Sequence, residues 1–239
     1  MSRLQLAFAM AVIWTLLVEQ ASAQKRVALV IGNSGYQHTS QLENPKNDAT
    51  DMVAALKQVG FQVIDGFDLE KTSFERKVRD FSVALRGAEV GLFFYAGHGL
   101  QVAGNNYLVP IDAKAETADA LDWEMVRLDL VHRTMERATT TNIIFLDACR
   151  NNPLARNLAR AMGTRSTEIG RGLAAVESGV GTLISFSTQP GNVALDGSGR
   201  NSPFAGALVK RINTSGDDLS ALLIDVRNDV RKANQPKDE

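Results

Sequence analysis

With 239 residues, 44% of them hydrophobic, the chain is long enough to bury one sizeable core, and one compact domain is expected. Its 26 basic and 27 acidic residues leave a net charge of −1, which argues against nucleic acid as a partner. A single cysteine excludes an internal disulfide framework.

The chain opens with Arg3 ahead of an apolar stretch, Leu4 to Val18, and then Ala21-Ser22-Ala23 before Gln24. This pattern predicts a secretory signal peptide over residues 1–23, so the protein is expected to be exported, to the periplasm or beyond the cell. The stretch falls short of the roughly 20 apolar residues of a membrane span, and no stable membrane association is expected once it is cleaved. In an oxidising compartment the lone thiol has no partner in its own chain, which suits a reactive role better than a stapling one.

From residue 24 to 233, ahead of a polar tail at 234–239, strand and helix patterns alternate. Residues 25–33 read as strand, 46–60 as helix, 61–65 as strand and 73–86 as an amphipathic helix. Val90 to Tyr95 is a wholly apolar strand, and 106–111 reads as a short strand or hairpin arm limited by Pro110. A helix over 124–137 leads to a second apolar strand, 142–147. Between Arg150 and Gly179 the pattern weakens, although Leu154 to Met162 has apolar residues at helical spacing. A strand over 181–187 and helices over 202–212 and 219–232 complete the chain. The fold class expected is α/β, a three-layer α/β/α sandwich with a mainly parallel central sheet.

Two motifs end the buried strands: Tyr95-Ala96-Gly97-His98-Gly99 and Asp147-Ala148-Cys149-Arg150-Asn151. Parallel strands would deliver a histidine and the only cysteine to one sheet edge, where open α/β folds place their ligands. An imidazole can take the proton of a neighbouring thiol and so make a strong nucleophile for acyl transfer. Gly99 and the amide of Cys149 could present N–H groups to an oxyanion. A histidine about 50 residues before a nucleophilic cysteine is the caspase arrangement, and His98 to Cys149 fits it.

On these motifs, together with Ala28-Leu29-Val30-Ile31-Gly32-Asn33-Ser34-Gly35-Tyr36 and Leu42-Glu43-Asn44-Pro45-Lys46-Asn47-Asp48-Ala49, the chain resembles a caspase-like cysteine peptidase. The resemblance runs from about Lys25 to Arg231 and is to bacterial members of the paracaspase and metacaspase type. It implies a cysteine endopeptidase acting through a His98/Cys149 dyad. It also carries over three acidic residues of the paracaspase specificity pocket, at Asp48, Asp147 and Asp196. Mammalian caspases have glutamine where Asp147 stands. A pocket of carboxylates would attract a guanidinium or ammonium group and repel aspartate, so cleavage after arginine or lysine is expected in protein or peptide substrates. In caspase relatives the region after the cysteine is an active-site loop often cut during maturation, and Arg165 and Arg171 are the candidate sites here, a solvated helix over 154–162 being the alternative. The sequence leaves the oligomeric state open.

Each site residue has a structural alternative. A lone cysteine is commonly a small buried hydrophobe; Asp48 could cap the helix starting near Asn47; Asp196 sits in a Gly-rich turn where an aspartate is usually solvated. His132 falls on a helix face and His38 in a polar loop, neither beside a second metal-type ligand, so no zinc site and no cofactor are implied. Calcium is a requirement of several metacaspases, and Asp119, Asp122 and Asp129 are available acids, but no calcium-loop pattern is present. The start Gly32-Asn33-Ser34-Gly35 lacks dinucleotide or P-loop spacing, and Ser185 lies in a strand rather than a nucleophile elbow. The competing functional class is a caspase-fold binding or scaffold protein without turnover, or a latent zymogen.

Overall fold

The structure, a computed structural model, describes residues 24–117, 119–149, 153–163, 169–170, 172–188, 199–214 and 218–234. Strand β1 (Arg26–Gly32) is followed by helix α1 (Pro45–Gln58), β2 (Gln62–Phe67) and α2 (Lys71–Ala84). Then come β3 (Val90–Val102), β4 (Asn105–Leu108), the single-turn α3 (Ala120–Trp123), β5 (Val126–Arg127) and α4 (Leu128–Glu136). The chain continues through β6 (Thr141–Cys149), α5 (Pro153–Met162), β7 (Ile169–Gly170), β8 (Thr182–Phe186), α6 (Pro203–Ile212) and α7 (Leu219–Ala233).

The central sheet runs β2-β1-β3-β6-β8 with every neighbouring pair parallel. Successive side chains of a strand face opposite sides, and both sides here are apolar. Val27, Leu29, Ile31, Phe93, Tyr95, Ile144 and Leu146 pack with Phe74, Val78 and Phe81 of α2 and Val131 and Met135 of α4. The alternate residues, Ala28, Val30, Leu92, Phe94, Ile143 and Phe145, pack with Met52 and Leu56 of α1, Phe204 and Leu208 of α6, and Leu222 and Val226 of α7. Helices therefore cover both faces, as the expected three-layer sandwich requires. None of these helices is long and apolar enough to cross a membrane.

Two elements differ from the sequence reading. The strand expected to end at Tyr95 runs on to Val102 and folds back as an antiparallel hairpin with β4, pairing Gly99 with Leu108 and Val102 with Asn105. Within this longer strand Gly97 pairs with Ala148 of β6 and Gly99 with Leu108 of β4. The helix expected over 124–137 starts only at Leu128, because Val126 and Arg127 pair with Leu108 and Tyr107 as β5. Edge pairing there outweighs the helical spacing of the apolar residues. The helical pattern after the cysteine is realised as α5, with Leu154 and Leu158 buried and Arg156 and Arg160 exposed.

Candidate active site

The strand order changes direction at β1, whose neighbours β2 and β3 lead the chain to opposite sides, and the crevice beyond such strand ends is where open α/β sheets bind ligands. Into this region β3 and β6 run side by side in register: Ala96 opposes Asp147, Gly97 opposes Ala148 and His98 opposes Cys149. Two residues 51 positions apart in sequence thus become direct neighbours across a parallel ladder.

His98 is 3% exposed and held from several sides. Its Nε2 lies 2.9 Å from the carbonyl oxygen of Ser40. A carbonyl only accepts, so Nε2 carries the proton and the neutral ring has its lone pair on Nδ1. The Tyr36 ring packs on the imidazole with centroids 4.4 Å apart, and the Tyr36 hydroxyl accepts the backbone N–H of His98 at 2.6 Å. The N–H and C=O of residue 98 face Tyr36 and β4. By the alternation of an extended strand, the N–H of Gly99 points the other way, toward β6. A Cβ at position 99 would stand 3.1 Å from Ala148 Cβ and 3.0 Å from Leu173 Cδ2, so only a residue without a side chain fits there comfortably.

The acidic residues come together on the α1/α6 face of the sheet. Asp48 lies inside α1, not at its cap: the helix starts at Pro45 and Asn44 holds the N-cap position. Asp48 and Asp147 are 1% and 5% exposed. Ser202 joins them, donating its backbone N–H to Asp48 Oδ1 at 3.0 Å and its hydroxyl to Asp147 Oδ2. The same hydroxyl accepts the N–H of Ala205 at 3.0 Å and so caps α6. Sequence reasoning placed Ser202 only at a helix start. The Ser-Pro pair was a signal for a capped helix, but nothing in it announced a bridge between two acids. Asp196, the third acid, lies outside the described residues, as do Arg165 and Arg171.

The strap before Ser202 is fastened to the outer side of α1. Arg200 donates to both oxygens of Asp51, at 3.0 and 2.9 Å, Asn201 adds a third bond to Asp51, and Asn47 donates to the carbonyl of Arg200. The Arg200 guanidinium holds the Asp51 carboxyl below the usual carboxylate range, against a smaller cost of burial. Opposite it, Asp68 Oδ1 accepts the N–H groups of Ser34 and Gly35, both at 2.8 Å, and Asp68 pairs with Lys46. Burial pushes the Asp68 carboxyl up, but these N–H groups and Lys46 outweigh it and leave it below the usual range. This anchors the loop that carries Tyr36 and Ser40.

Of the other candidates, His132 is buried on α4 with Nε2 3.1 Å from Glu136 Oε1, and His38 is exposed in its loop. Asp129 is engaged by Arg127 and Arg133. Among the described residues no three His, Cys, Asp or Glu side chains gather as a metal site.

A sequence profile of the caspase domain matches residues 25–238. The chain belongs to the caspase family. This caspase domain is also 31% identical over 136 residues to the human mucosa-associated lymphoid tissue lymphoma translocation protein 1, covering 55% of the chain and 16% of that protein. The mouse homolog is 31% identical over 135 residues, with the same shares. The caspase domain thus spans about a sixth of the length of these curated relatives. The family fold is that of a cysteine peptidase, and its sandwich is the one described above.

Proposed function

We propose that the protein is a cysteine endopeptidase in which His98 and Cys149 form the catalytic dyad and Asp48 and Asp147 line a pocket for arginine or lysine. Asp196 is the third acid of that pocket. The observation that carries the reading is the register of β3 and β6, which makes the two dyad residues cross-strand neighbours while Ser40 leaves Nδ1 as the basic nitrogen.

In this mechanism Nδ1 of His98 takes the proton of the Cys149 thiol, and the thiolate attacks the carbonyl carbon of the residue held in the pocket. The N–H groups of Gly99 and Cys149 hold the tetrahedral oxyanion. The imidazolium returns its proton to the leaving amine, releasing the first product. Water, deprotonated by His98, then hydrolyses the thioester and restores the thiol. The paired carboxylates favour a guanidinium, whose planar fork can bond two acceptors at once. We further propose that residues 1–23 are a cleaved export signal ahead of a peptidase domain at 24–233.

The test is hydrolysis of matched fluorogenic peptides ending in Arg, Lys or Asp, with and without calcium, by the protein and by Cys149→Ala. Thiol-dependent cleavage after Arg is expected, with none by the folded Cys149→Ala variant. Residual activity in a clean Cys149→Ala preparation would remove Cys149 from the mechanism, and preference for Asp would remove the acidic pocket.

A further inference from the structure

The backbone around His98 departs from an ordinary hairpin at one bond. Continued one step past Gly99–Leu108, the β3/β4 register brings His98 opposite Val109, in the position where a pair exchanges both hydrogen bonds. Val109 N–H does donate to the His98 carbonyl, at 3.1 Å. The reciprocal bond is replaced: the His98 N–H goes to the Tyr36 hydroxyl at 2.6 Å, and the Val109 carbonyl receives Asn33 Nδ2 at 3.1 Å and the Tyr95 hydroxyl at 3.2 Å. The single Tyr95 hydroxyl proton is shared between that carbonyl and the closer His98 carbonyl, at 2.7 Å, and the two phenol oxygens are 3.4 Å apart. Tyr36 and Tyr95 are 3% and 0% exposed.

We propose that Tyr36 and Tyr95 are positioning residues that lock the backbone of His98 and thereby aim its ring at the neighbouring strand. A sheet ladder fixes a strand but leaves its side-chain torsions to local packing, whereas here a phenol inserted into the ladder holds the N–H while its own ring packs on the imidazole. The same loop supplies the Ser40 carbonyl that fixes the tautomer. Ring plane, tautomer and main chain are therefore set by one short segment, itself tied down through Asn33 and Asp68. Gly97 completes the clamp: its φ is +154°, and a Cβ there would meet the Tyr36 and Tyr95 oxygens at 2.6 and 2.7 Å. Only glycine lets both hydroxyls close on this backbone.

The inference rests on His98 being the base of the proposed dyad. Tyr36→Phe keeps the ring and removes the acceptor, so kcat is expected to fall about 10- to 100-fold, as expected for a misplaced catalytic group, with KM within about twofold. In the Cys149→Ala background, which needs no turnover, the His98 ring is expected to give one Cε1–H resonance that splits or broadens by exchange on adding Tyr36→Phe. Tyr95→Phe is the second variant should Tyr36→Phe fail to fold, with the same expectations. A folded variant that keeps kcat within about twofold and a single unchanged ring resonance overturns the clamp. If the unmutated protein cleaves no peptide, the peptidase reading fails, and the ring resonances still decide whether the tyrosines orient His98.

Discussion

Ser202→Ala removes one hydroxyl that does two things in the buried centre of the acidic site. It donates to the Asp147 carboxylate and accepts the Ala205 N–H at the start of α6. Loss of an N-cap side chain typically costs about 1 kcal/mol, and loss of a hydrogen bond to a charged group about 1.5 to 3 kcal/mol. With Asp147 only 5% exposed, water cannot readily take the place of the lost donor. The combined destabilisation expected is about 2.5 to 4 kcal/mol. At about 2 to 4 °C per kcal/mol for a domain of this size, the midpoint should fall by roughly 5 to 15 °C. Urea unfolding of both proteins at pH 7 measures the free-energy loss and thermal unfolding the shift in midpoint, each followed by far-UV circular dichroism. A double-mutant cycle with Asp147→Ala, which removes the acceptor, separates the bond between the side chains from the cap, since residues in direct contact are the ones that couple. A loss below about 0.5 kcal/mol, the level of an ordinary surface change, would refute the bridge.

Other substitutions probe the same surroundings. Gly97→Ala should destabilise by about 3 kcal/mol, measured by thermal unfolding, because the new methyl meets two buried phenol oxygens in a backbone conformation that side chains rarely adopt. Asp147→Asn should lower kcat/KM for Arg peptides about 10- to 100-fold, the worth of a charge-assisted hydrogen bond, and an unchanged Arg preference would sink the pocket. Asp51→Ala should change stability by less than about 1 kcal/mol, because its partner Arg200 is 60% exposed. The Asp68 carboxyl, held below its ordinary value, makes a stabilising contribution that is complete above the unfolded pKa of about 4 and is lost as pH falls through the folded value. Urea midpoints at pH 7, 5, 4 and 3 should therefore drop below pH 4, and Asp68→Asn should flatten part of that drop.

Much of this molecule is written locally. The apolar runs Val90–Phe94 and Ile143–Leu146 mark strands buried on both faces, and they lie where the sequence places them. Asp48 and Asp147 are singled out through the family resemblance that their motifs carry, and both are found buried and joined through Ser202. The boundaries of β3 and α4 could not be read in the same way, because whether Gly97-His98-Gly99 continues a strand and whether Val126 starts one depends on partners distant in the chain. The Ser40 carbonyl had no signal at all, since every residue has one.

What the sequence by itself determined is the alternation of strand and helix, the two-sided burial of the sheet, and the residue types that follow the apolar runs of β3 and β6. These follow from hydrophobic periodicity and turn chemistry, which act over a few residues. What only the tertiary structure decided is how His98 is held, by Tyr36, Tyr95 and Ser40, and how Ser202 ties Asp48 to Asp147. A hydrogen bond between groups 55 to 154 residues apart depends on the closure of the whole sheet and its helices, and no local pattern encodes it.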